Sequence, residues 1–188
     1  MSDGPRIPPI DPGEAREDVA GILAIEPEGL THSLGENNIF ATLARHPDLF
    51  KAWLPFGAYL LQAGTLPARD RELLILRTGA NCGCSYEWGQ HVLVAAQIGM
   101  ERGEVERVLA GPGADGWSEH DAALLRAADE LHANAAITDA TWSQLERTYD
   151  EVQMIEAVML IGHYRMVANA LNSFGVELDD WLEPLPGA

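Results

Sequence analysis

Only two cysteines occur in the 188-residue chain, Cys82 and Cys84, and thiols one residue apart do not make the disulfide framework of a small secreted protein. Basic residues are scarce too: 12 Lys and Arg stand against 29 Asp and Glu, a formal net charge of -17. That charge repels phosphate backbones and anionic headgroups and argues against nucleic-acid or membrane-surface roles. No apolar run approaches the roughly 18 residues that cross a bilayer. The N-terminal stretch MSDGPRIPPIDPGEARED lacks the basic segment, apolar run and small-residue cleavage site of an export signal. A reducing cytoplasm is the expected compartment. Sustained period-two alternation bounded by hairpin turns is also missing, so a sheet-built fold is not expected.

What the chain does have is helical periodicity. Residues 1–35, rich in Pro, Gly and acids with one short possible helix near Glu14 to Ala24, read as a largely irregular N-terminal arm. Residues 36–188 read as a single all-helical domain, and the fold class is all-α. Pro47 opens a segment with an apolar stripe of Leu49, Phe50, Trp53, Leu54, Phe56 and Leu60, which Pro55 is expected to kink or split because it has no N–H to donate. Pro67 marks the start of a helix with Leu73, Leu74, Leu76 and Ala80 on its buried face. The next helix carries SYEWGQHVLVAAQIG and stops at Gly99, and a short one, roughly Arg102 to Leu109, ends at GPGADG. Ser118 with Asp121, Asp139, and Asp150 with Gln153 are the expected caps of the last three helices. In the longest, Val152, Ile155, Met159, Met166, Val167 and Ala170 recur every three or four residues, which places that stripe in the core or at a subunit interface.

The chemistry-bearing stretch is CGCSYEWGQH, residues 82–91. On a wheel of about 100° per residue with Cys84 as origin, Glu87 lies about 60° and His91 about 20° away, while Cys82 falls about 160° round. Cys84, Glu87 and His91 thus share one stripe, and the two thiols do not pair if the helix is regular, although Gly83 near a helix start allows a local turn. A Glu and a His at i and i+4 can share a proton, with burial raising the carboxyl into the range of a working acid or base. Glu72, twelve residues before Cys84, can supply a second carboxyl. The same features also fit ordinary packing: a small buried thiol, a surface Glu–His pair and a core Trp88. Neither the two-histidine HExxH spacing nor a Glu-x-x-His motif is present, so no metal is expected. His163, in GHYRMVANALN, can approach from another helix; His32, His46, His120 and His132 carry no motif.

LPARDRELLILRTGANCGCSYEWGQHVLVAAQIGM resembles the carboxymuconolactone decarboxylase-like family, which includes the alkylhydroperoxidase D proteins. The likeness is densest over residues 65–100 and weaker over 38–61 and over HYRMVANALNSFGVEL. It implies an AhpD-like all-helical fold, no cofactor, a small-molecule substrate, and a homo-oligomer, commonly a trimer or hexamer. The peroxidase branch of that family uses a Glu, twelve residues on a C-x-x-C, and a His four beyond the second Cys. Glu72, Cys84 and His91 match that pattern, and Glu87 stands where the second Cys would be. The decarboxylase branch carries Glu-x-x-x-His here, which Glu87 and His91 reproduce, and this chain combines the two patterns. The resemblance implies proton-transfer chemistry at Glu87 and His91, with Glu72 and Cys84 in support, as in decarboxylation of a small carboxylated lactone or related acid. The alternatives are a thiol peroxidase attacking through Cys84, with Cys82 or an external thiol resolving, and a non-catalytic helical oligomer.

Overall fold

The protein is described by a computed structural model covering residues 4–27 and 32–187. Among these residues it is all-α, as the periodicity predicts: α1 (Glu17–Leu23), α2 (Asn38–Leu43), α3 (Pro47–Ala58), α4 (Ala68–Asn81), α5 (Ser85–Gln97), α6 (Arg102–Ala110), α7 (Glu119–Asn134), α8 (Asp139–Leu145) and α9 (Glu151–Phe174). None of these helices is long and apolar enough to cross a membrane. The chain divides into two compact units, one of residues 1–63 and 170–182, the other of residues 64–169 and 183–188.

The first unit is built around Val19, Leu23, Ala44 and Phe50, each at most 1% exposed, with Phe40, Leu43, Trp53 and Leu54 packed against them. Burying Val19, Leu23 and Phe50 contributes about 1.5–3 kcal/mol each. The short helix expected near Glu14 to Ala24 is α1, and through Val19 and Leu23 the N-terminal arm supplies half of this core. Residues 1–3 and 28–31 of the arm lie outside the described residues. Pro55 sits inside α3 and does not split it; the change of register comes after it, as a π-helical turn over Tyr59–Ala63. Of that apolar stripe, Phe50 and Leu60 are buried, whereas Leu49 and Phe56 are exposed.

The second unit holds α4 to α8 and residues 151–169 of α9. Its center is α4, where Glu72, Leu73, Leu74, Ile75 and Leu76 are five consecutive residues with no exposure. A helix buried on all sides must be pinned by neighbours, and Arg77 does part of this. It grips Asp129 of α7 through Nε and Nη2, at 2.6 and 3.0 Å, and donates from Nη1 to the Val108 and Leu109 carbonyls that close α6. The cap at Ser118 is realised, with Asp121 N donating to Ser118 Oγ at 3.0 Å and Ser118 N to Asp121 Oδ2 at 3.2 Å. Asp150 and Gln153 form the expected reciprocal pair at α9. At α8 the cap is Thr138 and not Asp139: the Thr138 hydroxyl accepts from Thr141 N, and Asp139 is already helical. Along α9, Val167 is buried as expected, but Val152, Ile155, Met159 and Met166 are 49–60% exposed. Of the two placements the periodicity allowed, the core is therefore the wrong one for those four.

Candidate functional site

The site is assembled where α4 hands over to α5, wholly within the second unit. Cys82 caps α4 at its C-terminal end, Gly83 follows with φ of 58°, and Cys84 is the extended N-cap of α5. Gly83 N donates to Ala80 O and Cys84 N to Gly79 O, the paired bonds of a Schellman closure. Its left-handed residue is best met by glycine. The regular helical wheel therefore does not apply at its own origin. Cys84 lies before α5, Cys82 belongs to another helix, and only Glu87 and His91 share α5 as expected.

Four predicted residues converge, though not in the predicted pairing. His91 meets Glu72 across the helices, Nδ1 to Oε2 at 2.7 Å, and not Glu87 along its own helix. Arg71 Nε donates to the other Glu72 oxygen at 3.1 Å. The Glu72 bond occupies Nδ1 and fixes the ring, so Nε2 is the nitrogen left for other chemistry. Glu87 comes close to α4 because residue 79 is glycine: a Cβ there would lie 3.2 Å from Glu87 Cγ.

Burial sets the electrostatics. Glu72 is 0%, Cys84 0%, Glu87 3% and His91 6% exposed. Burial first, and then the charge of Glu72, push Glu87 well above the usual carboxylate range. Its Oε1 is buried without a hydrogen-bond partner. A buried polar atom left unpaired costs about 1–3 kcal/mol. Burial, followed by Glu87, pushes the Cys84 thiol up to about 12, while backbone N–H groups of Glu87 and Tyr86 pull weakly the other way. The N-cap position does not produce a thiolate.

Two residues outside the sequence-predicted set contact the Glu72–His91 pair. Tyr164 of α9, 5% exposed, packs edge-on against the His91 ring at 4.9 Å between centroids. Burial, then Glu87 and Glu72, hold its phenol firmly protonated. The other is Arg71, whose only sequence signal was adjacency to Glu72. His163 does not join the Glu72–His91 pair; its ring lies against Tyr164 at 5.3 Å, and burial pushes it down to about 4. Trp88 is core, as expected, at 3% exposure. Among the described residues no three His, Cys, Asp or Glu side chains are disposed to hold a metal ion.

The arrangement is a buried carboxyl held above the usual carboxylate range beside a carboxylate-oriented imidazole, two groups suited to proton transfer in a low-dielectric setting. Residues 47–130 match the sequence profile of the "Carboxymuconolactone decarboxylase family". No curated protein matches the chain at a significant level. Among solved structures, the chain is similar to an uncharacterized peroxidase-related protein from Ralstonia eutropha described as an alkylhydroperoxidase AhpD core. That likeness has a TM-score of 0.82 at 17% identity, covering 96% of this chain and 95% of that one. It is similar also to the debrominase Bmp8, with a TM-score of 0.78 at 16% identity over 93% and 92% of the two chains. A Bmp8 variant in complex with 2,3,4-tribromopyrrole gives 0.80 at 16% identity over 96% and 95%. At such identities the likenesses speak to fold, and they agree with the profile match. The chain thus resembles the carboxymuconolactone decarboxylase family over residues 47–130 and shares the fold of AhpD-like proteins.

Proposed function

We propose that the chain is an enzyme that moves protons on a small carboxylated substrate, a lactone or related acid, by a cofactor-free carboxy-lyase or isomerase reaction. The observation that carries this reading is the Glu87 carboxyl, raised above the usual range and with an unpartnered Oε1, beside the 2.7 Å Glu72–His91 pair. In decarboxylation the bond to the carboxylate breaks, CO2 departs, and the electron pair passes to an adjacent carbonyl as an enolate. Glu87 then donates its proton to the carbanionic carbon. Burial and the Glu72 charge favour the return of a proton to Glu87 once product leaves. His91, oriented by Glu72, exchanges a proton at the substrate oxygen through Nε2. Tyr164 and Arg71 act on positioning, one against the imidazole and the other on Glu72.

The exclusion of water strengthens each of these interactions and supports a small substrate. The pyrrole ligand of the debrominase relative supports a compact ring. A thiol peroxidase needs an accessible, ionisable cysteine, and Cys84 is buried with its thiol pushed up, which favours the proton-transfer reading. A homo-oligomer belongs to the same reading, because Val152, Ile155, Met159 and Met166 form an exposed apolar stripe that a second copy would cover. Two cysteines outside any disulfide fit a reducing, cytoplasmic location.

The test is turnover of a panel of carboxylated lactones by wild type, Glu87→Gln and His91→Ala. Losing one positioned acid or base is expected to lower kcat by about 10²–10⁴-fold. Equal turnover by all three proteins overturns the proposal.

A further inference from the structure

Cys82 is not used by that chemistry. It closes α4, half-buried, and its Sγ lies 3.7 Å from Nδ1 of His132 in the last turn of α7. The contact is built and not incidental. Arg165 of α9 donates from Nη1 to the Leu131 and His132 carbonyls at 2.9 and 2.8 Å, which holds the end of α7 in place beside Cys82. The next residue, Gly83, is exposed, and a Cβ built on it would meet nothing within 4 Å, so the turn is unobstructed there. Cys84, two residues on, has no exposure. One thiol thus has a base at contact distance and an open turn, and the other has neither.

We propose that Cys82 and His132 form a reversible thiol-modification site, at which a small disulfide transfers one thiol half to Cys82, apart from the Glu72–Glu87–His91 cluster. The step balances. Cys82 gives its proton to His132, its sulfur bonds to one sulfur of the disulfide, the S–S bond breaks, and the other half leaves as a thiolate that takes up the proton. The protein thiol is oxidised and the small disulfide reduced; an added thiol reverses the exchange. The base is needed because the groups around Cys82 do not ionise it. Burial raises the thiol and Glu87 of α5 adds to that, with Arg165 opposing. The α4 C-terminus also carries carbonyl dipoles that disfavour a thiolate. His132 supplies the missing acceptor.

The test uses Ellman's reagent, an aromatic disulfide whose released thiolate is colored, on the folded protein across neutral pH. Wild type and Cys84→Ala are expected to release one equivalent at the same rate, and peptide mapping is expected to place the label on Cys82. Cys82→Ala loses this phase. His132→Gln slows it by about tenfold, a modest share of what a positioned base contributes, and changes the shape of the pH–rate profile. A merely structural His132 would leave that profile unchanged in shape. Mapping of the wild-type label needs no variant to fold. A label on Cys84, a wild-type rate in Cys82→Ala, or a wild-type profile in His132→Gln each overturns the proposal. No substrate turnover enters this experiment, so its result is independent of the proton-transfer reading.

Discussion

Replacing Glu87 with glutamine gives the sharpest thermodynamic test of the buried acid. The side chain keeps its shape but stays neutral at every pH. In the native wild type Glu87 holds its proton to a higher pH than in the unfolded chain, because burial first and the Glu72 charge second disfavour the carboxylate. In the unfolded chain it titrates near the ordinary value of about 4.3. Above that value the unfolded state releases the proton and the native state does not, so native wild type is destabilised as pH rises. The contribution of Glu87 is fully present below the unfolded value and is lost as pH climbs towards and through the folded one. The slope for one such group is about 1.4 kcal/mol per pH unit. Whatever the amide itself costs is a constant offset that does not vary with pH. The difference in unfolding free energy, Glu87→Gln minus wild type, should therefore rise by about 1.4 kcal/mol for each unit from pH 5 upwards, then flatten at the folded value. Urea unfolding at closely spaced pH values, with Glu72 and His91 intact in both proteins, measures it. Parallel stability curves would refute the argument, because they would mean that Glu87 titrates alike in both states.

Two further predictions concern structure. A Cβ at residue 64 would lie 2.1 Å from Glu156 Oε1, and Glu156 accepts from Thr65 N, Thr65 Oγ1 and Leu66 N at 2.7, 2.8 and 3.2 Å. Gly64→Ala should lower stability by about 2–4 kcal/mol in urea unfolding, the scale of one or two lost hydrogen bonds to a charged group. Gly83→Ala, strained only by its φ of 58°, should cost about 1–2 kcal/mol; equal effects would discredit the close-contact argument. Placing charge on the exposed stripe of α9 with Ile155→Asp and Met159→Asp should leave a folded protein that elutes at the mass of one chain by light scattering. A variant still assembled like wild type would show that this stripe does not hold copies together.

The helices were legible in the sequence because their start and stop signals are local: Pro67, Gly99, the Ser118–Asp121 box and the Asp150–Gln153 pair each act within about a turn of a helix end. The α8 cap was misplaced by one residue because Thr138 and Asp139 are adjacent and both suited to the position. At the site, residue spacing put Glu87 and His91 on one helix but not His91's partner. That is Glu72, nineteen positions away on α4, and a wheel drawn on α5 alone has no access to it. Drawing the wheel through Cys84 failed for a related reason, since a Cys-Gly-Cys stretch with a left-handed glycine ends one helix and caps the next. Tyr164 and His132 were passed over because what singles them out is a ring edge against His91 and a thiol at 3.7 Å, both tertiary contacts. The α9 stripe shows the converse limit. Apolar periodicity reports a face that avoids water, and whether the chain's own core or another copy covers that face is not encoded in the period.

The proposed chemistry requires Glu87 to be a neutral carboxylic acid at neutral pH, seated beside the Glu72–His91 pair. Infrared spectroscopy of the protonated carboxyl C=O stretch at pH 7, taken as the difference between wild type and each variant, reports it directly. A protonated carboxyl band is expected in wild type that disappears in Glu87→Gln and survives, shifted in position, in Glu72→Gln. A wild-type spectrum without that band, or a band that Glu87→Gln leaves unchanged, would contradict it.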